Sequence, residues 1–208
     1  MTGRERRPGI LLMSAGLLMM AAALILTTYN LWDERRASAS AARIVEEITP
    51  LVAESVLPEA ESGETTVPDY QLDPSRSRPV VSIDGQDYIG TLYIPSLELS
   101  LPVLSRWSYP NLKIAPCRYE GNAYADHLII AGHNYQSHFG RLKELLPGDQ
   151  VQFTDVDGNV FSYSVEETEI LKKIDVEKLK EEPWDLTLFT CTVGGRTRVA
   201  VRCMASDS

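Results

Sequence analysis

No basic stripe runs along the 208 residues, and the formal charge is -9. That balance argues against a nucleic-acid partner, because displacing counterions from phosphates needs a basic footprint. No internal repeat is present. After Trp32 no second long apolar run occurs, so the chain offers one membrane span at most. Cysteine is scarce and odd in number: Cys117, Cys191 and Cys203. A monomer outside the cell would leave at least one thiol unpaired, which raises the question of reactivity. Histidine is equally scarce, with only His127, His133 and His138 available for acid and base work.

What is present begins with an uncharged segment from Pro8 to Trp32, "PGILLMSAGLLMMAAALILTTYNLW". About 20 apolar residues suffice to cross a bilayer as a helix, so residues 9–32 read as a transmembrane signal anchor. Arg4, Arg6 and Arg7 precede it, which places residues 1–8 in the cytoplasm and everything after Trp32 outside the cell. A cleaved signal peptide is the competing reading, with small residues for cleavage at "ASASAA" (Ala37 to Ala42). The apolar run exceeds the roughly 7 to 15 residues of a signal-peptide core, which favours a retained anchor.

Residues 33–79 read as an extracellular stalk and linker. Ile44, Val45, Ile48, Leu51 and Val52 suit a short, weakly packed helix, and residues 58–79 collect proline, serine, glycine and acids that cannot bury a core. The domain boundary falls near residue 80. From there to Ser208, short β-like runs alternate with Gly, Pro, Asn and Asp, the spacing of a sandwich or barrel. A three-residue turn over Val156, Asp157 and Gly158 would pair Phe153 with Phe161 and Val151 with Tyr163, with Gly158 left-handed. The Asp155 string is not a calcium loop of the EF-hand kind, since its glycine comes fourth rather than sixth. Ser137, Phe139, Leu142 and Leu145 predict a capped helix ended by Pro147-Gly148-Asp149, and "DVEKLKEEPW" a second helical stretch.

The stretch "LFTCTVGGRTRVAV" (Leu188 to Val201) carries the chemistry. If Gly194-Gly195 forms a two-residue hairpin loop, Val193 pairs with Arg196, Thr192 with Thr197 and Cys191 with Arg198. The same register pairs Leu188 with Val201 and Leu186 with Cys203 on the other, apolar face. Cys203 then reads as a buried structural cysteine. Cys117 reads as structural too, with a Cys117–Cys203 disulfide left open by counting alone. Arg198 is a permanently charged fork suited to a carbonyl oxygen or developing oxyanion and cannot be a base. His133 follows the apolar run "LIIAG" on a loop, where catalytic groups are commonly presented. His127 reads as an edge residue, and His138 sits in the first turn of the expected helix, at the end of the dipole that disfavours a cation. Cys191, His133 and Arg198 thus form a candidate set of nucleophile, general acid/base and carbonyl clamp.

Three ordered segments resemble the sortase family, membrane-anchored cysteine transpeptidases of mainly Gram-positive bacteria: "YIGTLYIPSLELSLPV" (Tyr88 to Val103), "LIIAGHNYQSHFGRLKELLPGD" (Leu128 to Asp149) and "LTLFTCTVGGRTRVAV" (Leu186 to Val201). By matching position His133 falls on the family histidine, Cys191 on the cysteine and Arg198 on the arginine, with Arg196 the nearest rival. The resemblance implies a mainly β fold: a sortase-type closed barrel of about eight strands with short helices over residues 80–208. It also implies cleavage of an LPXTG-like sorting signal near the C-terminus of an exported protein. The thioester on Cys191 would pass to an amine of a lipid-linked peptidoglycan precursor or a pilin lysine.

That chemistry requires no metal or other cofactor. Glu166, Glu167, Glu169 and Glu177 form an acidic region that reads as a solvated face rather than a calcium site. Pilus-building sortases often carry a second, C-terminal span and an Asp-Pro-aromatic lid motif. Here the sequence ends at Ser208 and Ser75 follows Asp73-Pro74, so anchoring of surface proteins is expected over pilin polymerisation. An exported cysteine peptidase and a non-enzymatic, membrane-tethered wall-binding β-domain are the alternatives. An L,D-transpeptidase is disfavoured, because "LFTCT" lacks that enzyme's Ser-His-Gly-Cys context.

Overall fold

A computed structural model describes residues 6–56, 79–180, 183–192 and 194–206. The linker read over 58–79 lies outside the described residues except for Pro79 and carries the Asp73-Pro74 pair with it. The chain divides into two compact units, with the division between Arg36 and Ala37. Helix α1 (Arg6–Val56) runs through the apolar segment and the predicted stalk.

In the first unit, the large apolar side chains between Ile10 and Trp32 are mostly exposed, and the helix is long and apolar enough to cross a membrane. The Thr27 and Thr28 hydroxyls donate to the carbonyls of Ala23 and Leu24, at 2.8 and 2.9 Å. These internal bonds spare the hydroxyls an unpaired state in lipid.

In the second unit, the last turns of α1 are packed rather than loosely held. Ala37, Ala41, Ile44 and Ile48 recur at helical spacing and are all buried. The two alanines carry no large apolar signal, which is why the sequence reading saw a weaker face. Arg43 ties this helix to Asp84 in the turn between the first two strands.

Among the described residues nine strands follow: β1 (Val81–Ile83), β2 (Gln86–Ile94), β3 (Leu99–Leu104), β4 (Cys117–Asn122), β5 (His127–Gly132), β6 (Gln150–Asp155), β7 (Val160–Lys172), β8 (Leu186–Cys191) and β9 (Thr197–Ala205). They form one sheet in the order β1-β2-β3-β4-β5-β8-β9-β7-β6, and β6 pairs back onto β2. Eight strands therefore close into a mixed barrel, with β1 added beside β2. Closure removes the sheet edges that would otherwise need protection.

Alternation along the strands separates two apolar clusters. The interior takes Leu92, Leu101, Val103, Leu128, Ile130, Leu186, Leu188, Val201 and Cys203. The opposite face takes Leu104, Cys117, Ile129, Ala131, Phe189 and Ala200, together with Ile44 and Ile48 of α1. Cys117 and Cys203 are free thiols in different clusters, so the disulfide left open by counting is not formed. Burial pushes both thiols up to about 12, the behaviour of inert core cysteines.

The β6–β7 turn matches its expected register, with Phe153 opposite Phe161 and Val151 opposite Tyr163, and Gly158 is left-handed at φ 89. Asp155 is 3% exposed and accepts from the backbone of Asp157 and Asn159, from the Asn159 amide and from the Tyr124 hydroxyl. Its carboxylate is saturated by the turn it organises.

Candidate active site

Strand β8 lies between β5, which runs parallel to it, and β9, which runs antiparallel. Cys191 stands directly opposite Arg198, as the Gly-Gly register predicts, and Leu186 stands opposite Cys203. On the other side Thr190 is level with Gly132, so His133, the next residue, comes level with Cys191. Cys191 and Arg198 thus share a rung at the end of β8 and β9, and His133 follows the same end of the neighbouring β5, in a sheet where strands lie about 4.8 Å apart. Alternation puts Cys191 and Arg198 on the same face as Phe189 and Ala200, outside the barrel core.

The hairpin explains how Arg198 is held. Gly194 and Gly195 both have positive φ, 84° and 67°, and Gly195 N donates to the Thr192 carbonyl at 2.8 Å. The Thr192 amide donates to the Thr197 carbonyl at 3.1 Å, and the two threonine hydroxyls bond at 2.8 Å. Arg198 Nη1 donates to the carbonyls of Thr197 and Gly195, at 3.1 and 3.4 Å. Arg196 is exposed whereas Arg198 is half-buried. The pairing expected for Val193 lies outside the described residues.

The segment after β5 differs from expectation. In place of a helix capped by Ser137, a series of turns leads into a single 3-10 turn at Leu142–Glu144. Its bonds are irregular: Phe139 N donates to the His133 carbonyl at 3.1 Å, and Gly140 N to the Tyr135 carbonyl at 2.8 Å. Phe139, Leu142 and Leu145 are buried as their spacing suggested, but in this tighter path. Gly132 makes it possible, since a Cβ there would stand 2.3 Å from the Phe139 ring. The second helical stretch is likewise a 3-10 turn, Val176–Lys180.

His138 is therefore not in a helical first turn. It is wholly buried, and neither ring nitrogen has a hydrogen-bond partner among the described residues. Burial first, and the nearby His133 charge second, push it down to about 4, so it is neutral near pH 7. His127 opens β5 half-exposed, as read. His133 is half-buried, and the Tyr135 ring stacks on it at 3.9 Å between centroids and 16° between planes.

A cleft of about 240 Å³ opens beside this constellation, lined by Cys191, Arg198, Phe189, Trp107, Tyr119 and Lys173 among others. Its wall is a chain of rings: Trp107 lies 5.2 Å from Tyr109 and 5.6 Å from Tyr119, and Tyr119 lies 5.3 Å from Phe189. Such tilted and edge-on pairs add to the stability of an aromatic wall. Trp107 and Tyr109 come from the β3–β4 connection, where Ser108 caps a one-turn helix, α2 (Tyr109–Leu112), by accepting from the Asn111 amide. Nothing in the sequence reading marked these aromatics.

Arg202 was missed as well. It lies four rungs along β9 from Arg198, opposite Thr187, and is 1% exposed. Its guanidinium pairs with Glu169, and donates to Thr187 Oγ1 and to the carbonyls of Leu179 and Lys178. It thereby pins the 3-10 turn of the β7–β8 connection to the sheet, and uses one of the four acidic residues read as a solvated face.

A family model described as the sortase domain matches residues 92–206. Among solved structures, a sortase D5 transpeptidase of Clostridium perfringens is similar at a TM-score of 0.58 and 17% identity, covering 81% of this chain and 99% of that one. Sortase A from Corynebacterium diphtheriae is similar at 0.54 and 20% identity, covering 84% and 93%. A sortase C1 from Streptococcus suis is similar at 0.51 and 24% identity, covering 58% and 74%. The comparison with curated proteins found no match. With the family model covering more than half of a chain whose strands close into the expected eight-stranded barrel, the protein belongs to the sortase family of cysteine transpeptidases that act on exported surface proteins.

Proposed function

We propose that Cys191 is the nucleophile, His133 the general acid and base, and Arg198 the group that holds the substrate carbonyl. The observation that carries this reading is the Cys191–Arg198 rung, which opens on the cleft, beside the strand end that leads into His133. The thiolate attacks a backbone carbonyl, and the guanidinium meets the oxyanion that develops. His133 gives its proton to the departing amine, leaving a thioester. An incoming amine then attacks the thioester, its proton passes to His133, and Cys191 leaves as thiolate. No step calls for a metal ion.

The substrate is an LPXTG-like sorting signal of an exported protein, and the acceptor is an amine of a cell-wall precursor. The aromatic wall of the cleft suits an extended segment with an apolar or proline residue a few positions before the scissile bond. Ser75 after Asp73-Pro74 supports anchoring of surface proteins rather than pilin polymerisation. The arginines before the apolar segment support a cytoplasmic N-terminus and a catalytic domain, residues 80–208, outside the cell.

The test uses the full chain in detergent micelles with a panel of sorting-signal peptides, with and without candidate amines. Peptide–amine products that vanish in Cys191→Ala support the reading. Hydrolysis alone, whatever the amine, would make the protein a peptidase, and no turnover with any peptide would favour a wall-binding domain.

A further inference from the structure

Tyr135 is placed to act on His133, and nothing in the expected chemistry calls for it. Its ring lies nearly parallel to the imidazole at 3.9 Å. Behind it sits the buried His138, 5.4 Å away and edge-on at 62°. The Tyr135 carbonyl accepts from the amides of His138 and Gly140, at 3.0 and 2.8 Å. Gly140 is required there, since a Cβ would stand 2.7 Å from that carbonyl oxygen. The loop is thus folded around Tyr135, with an apolar base of Phe139 packed on Gly132.

We infer that Tyr135 is a positioning residue for His133, fixing the plane of the imidazole and favouring its protonated form through the face of the phenol ring. This rests on the reading of His133 as the general acid. A stacked ring stops rotation about the last side-chain bond, which otherwise takes broad values in histidine. An aromatic face within about 6 Å also attracts a cation through its quadrupole. Four other titratable groups of the surrounding strands and loop do not supply this. Arg198 on β9 repels an imidazolium, Cys191 on β8 favours one only as thiolate, Cys117 on β4 opposite Ala131 stays protonated, and His138 stays neutral.

The chain has three histidines, so the full-length protein in micelles, labelled with 13C at histidine Cε1, gives three resonances to titrate. In the native protein the His133 signal is expected to show an upfield ring-current shift. Tyr135→Leu should remove that shift and lower the His133 pKa by roughly half a unit, from the size of cation–π effects. The same variant should lose about tenfold in kcat, the scale of a misaligned catalytic group, with KM within about twofold. Tyr135→Phe keeps the ring and should stay near wild type in both. An unchanged His133 pKa in Tyr135→Leu would overturn the proposal, as would a lowered pKa with unchanged kcat. If Tyr135→Leu does not fold, the native spectrum decides: no ring-current shift on His133 overturns it, whereas a shift kept in Tyr135→Phe supports it. His133→Gln retaining full transfer would instead sink the assignment of the acid, without touching the titration.

Discussion

The two faces of the β8–β9 ribbon share one backbone and one register yet have opposite characters. The inner face stacks Leu186 on Cys203 and Leu188 on Val201 in the barrel interior. The outer face carries Cys191 with Arg198, Phe189 with Ala200, and Thr187 with Arg202. Cys203 is dry and held protonated by burial, whereas Cys191 is half-buried on a cleft. The lesson is that alternation alone separates stability from chemistry here: shifting the hairpin by one residue would put the nucleophile in the core.

Exchanging the cysteines one at a time should break the contrast most sharply. Cys191→Ala is expected to lower the transfer rate by at least about 10⁴-fold, as loss of a nucleophile does, with little change in Tm. Cys203→Ser should leave the catalytic constants near wild type but cost about 1–3 kcal/mol, because it buries a hydroxyl in the apolar interior of the barrel. Rates and denaturant midpoints measured on both variants check this.

The arginines extend the test along the outer face. Arg198→Ala should cost about 10²–10³ in kcat, the scale of losing an oxyanion donor, while exposed Arg196→Ala should stay within about twofold. Deeper on the same face, Arg202→Ala leaves Glu169 and two loop carbonyls without their donor. Losing these bonds while the half-exposed Glu169 can turn to solvent should cost about 1–3 kcal/mol, which chemical denaturation should reveal.

A pH-dependent effect concerns the buried histidine of the loop. His138, held down at about 4, stays neutral in the folded protein while the unfolded chain takes up a proton near 6.5. Its contribution is present in full above pH 6.5 and is lost as pH falls through 4, about 3 kcal/mol across the window. Denaturation midpoints of wild type should therefore fall more steeply between pH 6.5 and 4 than those of His138→Leu.

The ribbon was legible because its determinants are local. Gly194 and Gly195 supply the two left-handed residues, and the flanking alternation admits one register. The Asp155 turn was legible for the same reason. The loop after His133 was not, because Ser137 and the spacing of Phe139, Leu142 and Leu145 suit a helix equally well. The contact that decides its path, Phe139 against the bare backbone of Gly132, involves the preceding strand. Arg202 was hidden by its own parity: it alternates away from the interior, which suggests exposure, but the β7–β8 connection folds back and covers it. Tyr135, Trp107 and Tyr119 gain their roles from neighbours that no sequence period announces.

The central claim, that the outer-face cysteine does the chemistry, is most directly tested by intact-mass measurement on the full chain mixed with a sorting-signal peptide. The account predicts an acyl adduct that hydroxylamine removes, present in wild type and Cys203→Ser and absent in Cys191→Ala. An adduct that survives in Cys191→Ala, or none in wild type across a panel of such peptides, would contradict it.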